Sequence, residues 1–389
     1  MESLYQKHRT LIAATSLSFK RYMFDKIPWG SRMVGITGPR GVGKTTMLLQ
    51  YIKEQNNSSF LYVSADDIYF STHRLTDLAD EFYRSGGTLI FIDEIHKYKD
   101  WSIELKNIYD SYPKLKVVFT GSSILDIRKG FADLSRRALM YSMHGFSFRE
   151  FLLFYYNIEV PVHSFDDIIA HKVSLLDYIE HPIPLFREYL QSGYYPLATE
   201  DHLNIRLGQI INHALEVDIP QFANLSVSTA RKLKRLLLVI SESVPFKPNF
   251  SSIAAKLVVS RNSLEEYMAL MEDAGLIARL RNQTSGIIGL GKVDKVYLDN
   301  PNLIYYLSER EPNIGNIRET FFLNQMVVNQ SVISSSVADF QIGKYTFEVG
   351  GKNKTQEQIK NTQDAFIVKD NIEYGYNNVI PLWAFGLNY

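Results

Sequence analysis

Cysteine is absent from all 389 residues, which excludes disulfide staples, thiolate metal centres and cysteine nucleophiles while leaving the compartment open. Net charge is absent too. Lys and Arg number 42 and Asp and Glu 42, so no global basic field draws the chain to nucleic acid, and any basic groove has to be local. No apolar run approaches the length of a membrane span, and Met1–Lys7 lacks the basic-then-apolar pattern of an export signal; a cytoplasmic protein without a membrane partner is expected. There is no repeat of solenoid period and no low-complexity tract. What remains is ordinary globular composition, 46% hydrophobic and 22% charged, in a chain too long for one core. Roughly two to four domains are expected.

Ile36–Thr46 reads Ile-Thr-Gly-Pro-Arg-Gly-Val-Gly-Lys-Thr-Thr and contains the pattern G-x-x-x-x-G-K-[ST] in full. Met33–Ile36 ahead of it has the character of a short buried strand, and Thr45–Ile52 behind it that of a helix with apolar Met47, Leu48 and Leu49. In that setting Gly38, Pro39, Arg40, Gly41, Val42, Gly43, Lys44, Thr45 and Thr46 make a nucleotide-binding loop. The glycines let successive backbone N–H groups curl around phosphates, and the helix N-terminus faces the negative charge. Lys44 is expected at the β- and γ-phosphates, with the Thr45 hydroxyl on Mg²⁺.

Thr88–Glu94 is an apolar run ending in two carboxylates, about fifty residues downstream, as a parallel sheet allows. This is a Walker B arrangement. Asp93 is expected in the Mg²⁺ shell, and Glu94 as the base that polarises the attacking water. A third β-rich run, Leu115–Ser123, ends in small hydroxyl residues, which makes Thr120 or Ser122 candidates to hydrogen-bond the γ-phosphate or the water. Asp133–Arg137 then presents Arg136 and Arg137; Arg137 is taken as the catalytic guanidinium, acting in cis or across a subunit boundary. No Asn/Thr-Lys-x-Asp guanine-reading motif follows, which favours ATP over GTP.

The blocks are legible in outline. Up to about Glu150, strands at Val34–Ile36, Phe60–Val63, Leu89–Ile92, Val117–Phe119 and Ala138–Met143 alternate with helical segments: an α/β, parallel-sheet P-loop NTPase domain over 1–150. The pattern over 151–225 is helical and broken by Pro161, Pro182, Pro184 and Pro196, which suits a lid on the nucleotide domain. Residues 226–309 read as a winged helix, with helices at Lys232–Ser243, Phe250–Leu257 and Asn262–Ala274. Its wing is a hairpin of Leu276–Arg281 and Val293–Leu298 around Gly286, Gly289 and Gly291. Its would-be recognition helix carries Arg261 and Asn262 but also Glu265, Glu266, Glu272 and Asp273, and acids oppose docking on phosphates.

The P-loop, Phe91–Lys97 followed by Trp101, Phe119–Ser123 and Phe146–Phe151 together resemble the AAA+-type prokaryotic ATPase family, in which a P-loop domain precedes a winged helix and a degenerate restriction-endonuclease-like domain. Tyr189–Pro196, Lys295–Pro301 and the final Pro381-Leu382-Trp383 extend the likeness through nearly all of the chain. The resemblance implies this architecture and an ATPase activity. Over 310–389, a helix from Arg318 to Val328 and two strands, Asp339–Ile342 and Tyr345–Val349 joined at Gly343-Lys344, are similar to the core of a PD-(D/E)xK nuclease. That likeness implies Asp339 and Glu348 as metal ligands and a lysine at 350, where this chain has Gly350. Lys352 and Lys354 follow, but the Gly350-Gly351 turn interrupts the strand geometry that would aim them, so an inactive contact domain is expected.

The sequence thus leads to an ATP- and Mg²⁺-dependent switch, in which nucleotide state repositions C-terminal domains that hold a protein partner. The alternative is an ATP-dependent DNA-binding or DNA-processing protein with a metal-dependent nuclease-like domain.

Overall fold

The computed structural model describes residues 1–121, 134, 136–199, 202–223, 225–243, 249–283 and 292–389. The chain divides into two compact units, Met1–His144 and Gly145–Tyr389. Among the described residues, no helix is long and apolar enough to cross a membrane.

The first unit is built on β1 (Met33–Thr37), β2 (Phe60–Ser64), β3 (Leu89–Asp93), β4 (Lys116–Gly121) and β5 (Leu139–Ser142). They form one parallel sheet in the order β2-β3-β4-β1-β5. Strands β1 and β3 are buried along their whole length because both faces are covered, as parallel sheets require. The helices α1 (Glu2–Ala14), α2 (Lys44–Gln55), α3 (Leu75–Arg84) and α4 (Trp101–Ser111) flank it. Leu78, Phe82, Leu105 and Ile108 pack with Val63, Ile90, Ile92 and Val117 in one cluster. Trp29 stacks on Tyr51 at 4.2 Å, with Phe60 and Phe91 close by. β2 is an edge strand, and α1 closes part of that edge. The Tyr62 backbone N–H donates to Nδ1 of His8 at 3.0 Å, and burial lowers the His8 pKa, which suits an acceptor nitrogen.

Because β4 lies between β1 and β3, the loop after β1 and the carboxylates after β3 open on the same edge of the sheet, one strand apart. This topology brings two segments far apart in sequence to one edge of the sheet.

The second unit begins with α5 (Phe148–Tyr156), capped by a box in which Ser147 Oγ accepts from the Glu150 N–H and Glu150 returns a bond to the Ser147 N–H. Ser147 Oγ also donates to the Tyr389 carbonyl at 2.8 Å. Next come α6 (Phe165–Ile169) and α7 (Pro182–Glu188), which runs on as a π-turn at Tyr189–Gly193. After α8 (Leu203–His213), a second π-turn (Ala214–Asp218) leads to α9 (Ile219–Ala223) and α10 (Val227–Ser243). The pair α11 (Phe250–Leu257) and α12 (Arg261–Asp273) leads to the antiparallel hairpin of β6 (Ile277–Arg281) and β7 (Val293–Leu298). The expected Gly286, Gly289 and Gly291 loop lies outside the described residues.

Then come α13 (Pro301–Leu307), α14 (Ile314–Met326) and a second five-stranded sheet, ordered β12-β11-β10-β9-β8. Its strands are β8 (Val332–Ser334), β9 (Phe340–Ile342), β10 (Tyr345–Gly350), β11 (Ala365–Lys369) and β12 (Val379–Pro381); β8, β9 and β10 run antiparallel, β10, β11 and β12 parallel.

Asn302, directly after Lys295–Pro301, is bonded to the Tyr189–Pro196 segment. Asn302 accepts the Tyr194 N–H at 2.8 Å and donates to the Tyr189 and Leu190 carbonyls at 3.3 and 2.9 Å, filling the needs of a π-turn whose own ladder is displaced.

Candidate functional site

β1 delivers the chain to Gly38, where φ is 148° and a Cβ would fall 2.1 Å from the Met143 carbonyl oxygen. Only glycine fits there. Gly41 and Gly43 also hold positive φ, 80° and 95°, so the loop curls back before α2 begins at Lys44. Gly43, the cap of α2, offers no side-chain acceptor to the first helical N–H groups, which point into the loop. Lys44 is buried at 5% exposure, and its ammonium donates to the Gly38 and Pro39 carbonyls at 2.8 Å each. Arg21 reaches the Val42 carbonyl from the segment after α1, bracing the same loop from behind.

Asp93 ends β3 with 3% exposure. Thr45 Oγ1 donates to its Oδ2 at 2.6 Å, Tyr62 OH to the same oxygen at 2.9 Å, and Thr120 Oγ1 to Oδ1. Burial pushes the Asp93 carboxyl up, and the three hydroxyls oppose that shift. Burial, and then the Asp93 charge, raise the Tyr62 phenol. Tyr62 is a site residue that sequence reasoning missed. A tyrosine in an apolar strand reads as core, and only the pairing of β2 with β3 brings its hydroxyl to Asp93.

Glu94 adopts left-handed backbone angles, φ 51° and ψ 41°, a conformation that costs a non-glycine residue about 1 kcal/mol or more. The turn lifts its side chain out of the strand direction to 21% exposure, with Oε2 3.9 Å from the Arg40 guanidinium and 3.6 Å from His96 Nε2. Thr120 holds the turn by accepting the Glu94 N–H at 3.1 Å. Its one O–H goes to Asp93, so Thr120 organises both carboxylates, and a donor bond from it to phosphate or water requires giving that up. Ser122 and Ser123 lie outside the described residues.

Arg137 is elsewhere. β5 starts with Leu139 beside Val34, whereas the loop leaves β1 at the other end, after Thr37 beside Ser142. Arg137 therefore stands at the amino-terminal edge of the sheet, about five residues of strand or roughly 16 Å from the loop edge. Its Nε and NH2 grip Asp110 at 3.0 and 2.9 Å, and its guanidinium carbon lies 5.9 Å over the Tyr109 ring. A cis contact to phosphate, one of the two roles expected of it, does not agree with this placement. Arg136 is exposed on the same turn.

In the second unit, Glu348 lies buried on β10 and Asp339 just ahead of β9. The Gly350-Gly351 turn does fold back: Lys354 N donates to the Gly351 carbonyl at 2.9 Å, and the Lys354 stem covers Gly350 so closely that a Cβ there would be 2.7 Å from its Cγ. Lys354 Nζ pairs with Glu348 Oε1. The glycine at 350 thus makes room for a lysine four residues on, where an interrupted geometry was expected. Lys352 stays exposed. On α12, Glu272 is gripped by Arg279 and Arg281 at 2.6 and 2.8 Å, whose hydrogen bonds and charges lower its pKa against the opposing effect of burial. Of the four acids on that helix, Glu272 is therefore neutralised by β6 and Glu265 is paired with Arg261 at 3.1 Å, while Glu266 faces solvent.

Residues 30–152 match a family model described as an AAA domain. Over this part, the chain has a distant AAA-type P-loop ATPase fold. Residues 183–313, which include the Asn302 clamp, match a second model described as a domain of unknown function. An uncharacterized protein of Methanocaldococcus jannaschii, MJ1637, is 26% identical over 270 residues, 64% of this chain and 56% of that protein, so the match spans little more than half of the relative's length. Among solved structures, the Walker-type ATPase paby2304 of Pyrococcus abyssi superposes with a TM-score of 0.46 at 14% identity, covering 76% of this chain and 99% of that one. AMPPCP-bound DnaA from Aquifex aeolicus gives 0.27 at 13% identity, covering 64% and 84%.

Proposed function

We propose that the protein binds ATP with Mg²⁺ at the Gly38–Thr46 loop and hydrolyses it. The observation that carries this is the 2.6 Å bond from Thr45 Oγ1 to Asp93 Oδ2, which brings a loop hydroxyl and a buried carboxylate to one point beside the helix N-terminus. A hydroxyl and a carboxylate so placed are the oxygen pair that suits Mg²⁺, and the loop N–H groups and Lys44 suit a polyphosphate. When bound, Mg²⁺ would neutralise charge on the phosphate oxygens. Lys44 would exchange its two loop carbonyls for phosphate oxygens. Glu94, set off the strand by its left-handed turn, would take the proton of the attacking water, and Arg40 and His96 beside its carboxylate would orient it. Thr120 keeps Asp93 and Glu94 in fixed relation.

The finer reading is a switch. The α11–α12 pair with the β6–β7 hairpin supports a winged helix over 226–309, the helices of 151–225 a lid, and α14 with the second sheet a nuclease-like contact domain over 310–389. ATP state would then govern a protein partner held by these parts. The exposed Glu266 on α12, and the pairing of Arg261 with Glu265 there, favour a protein over DNA as that partner. Calorimetry with ATP and Mg²⁺, together with phosphate release, tests the ATPase. Hydrogen exchange over 226–389 in the hydrolysis-slowed Glu94→Gln protein, with and without ATP, tests the switch: protection that changes with nucleotide supports it, and identical exchange removes it.

A further inference from the structure

The PD-(D/E)xK resemblance implies a divalent metal between Asp339 and Glu348, and the residues present do not fit one. Asp339 Oδ1 accepts from Lys295 Nζ at 2.8 Å and Oδ2 from the Val349 N–H at 3.0 Å, so both oxygens already face donors. Glu348 Oε1 is paired with Lys354, and only its buried Oε2 stands without a hydrogen-bond partner. Among the described residues, no group of three His, Cys, Asp or Glu side chains converges as a metal site.

The cation on Asp339 is a lysine. Lys295 and Tyr297 are two apart on β7 and so project from one face. Both reach Glu319 on α14, the ammonium at 3.2 Å and the phenol at 2.9 Å. Lys295 Nζ thereby bridges Glu319 and Asp339, side chains from the helix and from the sheet that flank it, with 19% of its own side chain exposed and 16% and 15% of theirs. Glu319 and Asp339 thus share the Lys295 ammonium, and Glu348 holds that of Lys354. A divalent ion placed between Glu319 and Asp339 would have to displace Lys295 from both partners at once and leave that charge half-buried without a counter-ion.

We infer that Lys295 is the resident cation of this cluster: its ammonium fills the position a divalent metal would take, ties the β7 hairpin to α14 and β9, and closes the site to Mg²⁺ and Mn²⁺. The lysine that the nuclease likeness lacks at 350 is therefore not what disables the site. Lys354 supplies a lysine; Lys295 excludes the metal.

The test is to remove the ammonium and keep the stem. In Lys295→Met full-length protein, Mn²⁺ is expected to bind with one ion more per chain than in the wild type by equilibrium dialysis without nucleotide. It should also raise Tm on the order of 5 °C at metal a hundredfold above its Kd. Adding Glu319→Gln should cancel both gains, and Lys295→Arg, which restores a cation, should show neither. A folded Lys295→Met protein that takes no extra Mn²⁺ overturns the inference. So does a wild-type protein whose Mn²⁺ binding is lost on Glu319→Gln, a measurement that holds even if Lys295→Met fails to fold.

Discussion

Thr45 Oγ1 donates to Asp93 Oδ2 at 2.6 Å, across 48 residues of sequence and from a helix to the end of a strand two places away in the sheet. That bond joins the two halves of the proposed nucleotide site. Tyr62 and Thr120 complete the ring of hydroxyls around the carboxylate, so the site is pre-set by the fold.

Lys44→Ala removes the one ammonium at the centre of the loop and leaves the Gly38 and Pro39 carbonyls without their donor. ATP affinity measured by calorimetry should fall about a hundredfold or more, the loss of a charge-assisted contact. Unchanged affinity would remove Lys44 from the site.

Tyr62→Phe deletes one of the three donors to a carboxylate with 3% exposure. Urea unfolding in the absence of nucleotide should show a loss of about 1–2 kcal/mol. Equal stability would mean that the phenol is not bonded to Asp93.

Asp299 is partly buried in the second unit, 3.1 Å from Asn300 Nδ2 and 3.4 Å from Tyr194 OH, and burial pushes its pKa up to about 6. A carboxyl whose folded pKa is raised stabilises the fold while protonated. That contribution is whole below the unfolded value near 4 and is lost as pH rises through about 6. Between those limits, the wild type should lose about 3 kcal/mol relative to Asp299→Asn, read from denaturant unfolding at pH 4, 5, 6 and 7. Parallel pH profiles for the two proteins would contradict the burial account.

With Mg²⁺ or Mn²⁺ and ATP, the wild-type protein should leave supercoiled and linear DNA intact, because Lys295 occupies the carboxylate cluster. Metal-dependent cutting that disappears in Asp339→Asn would show the opposite, that Lys295 yields to metal.

The sheet and the loop were legible because each signal is local. The glycine spacing fixes the turn, and the apolar runs at β1 to β5 need only their own residues to be read. The rest depends on which strands are neighbours and which end of a strand a residue joins. Arg137 was misplaced for a cis role because a basic pair before a strand looks the same whether that strand starts or ends near the phosphate. Tyr62 was invisible because its role exists only through β2-β3 pairing. Asn302 serves π-turn carbonyls more than a hundred residues away, and Lys295 bridges acids 24 and 44 residues on, contacts that no periodicity announces. The helix α1 is not legible in the sequence because only Leu4 of its thirteen residues is buried, leaving almost no apolar stripe.

The central claim, that Glu94 is the base of an ATPase built on the Thr45–Asp93 pair, is tested most directly by measuring ATP affinity and phosphate release side by side in the wild type and Glu94→Gln. An amide cannot take the proton of the attacking water, while Lys44, Thr45 and Asp93 remain in place. Binding should therefore be retained within a few fold and turnover slowed by about a hundredfold or more. Undiminished turnover, or the loss of binding together with turnover, would contradict the assignment.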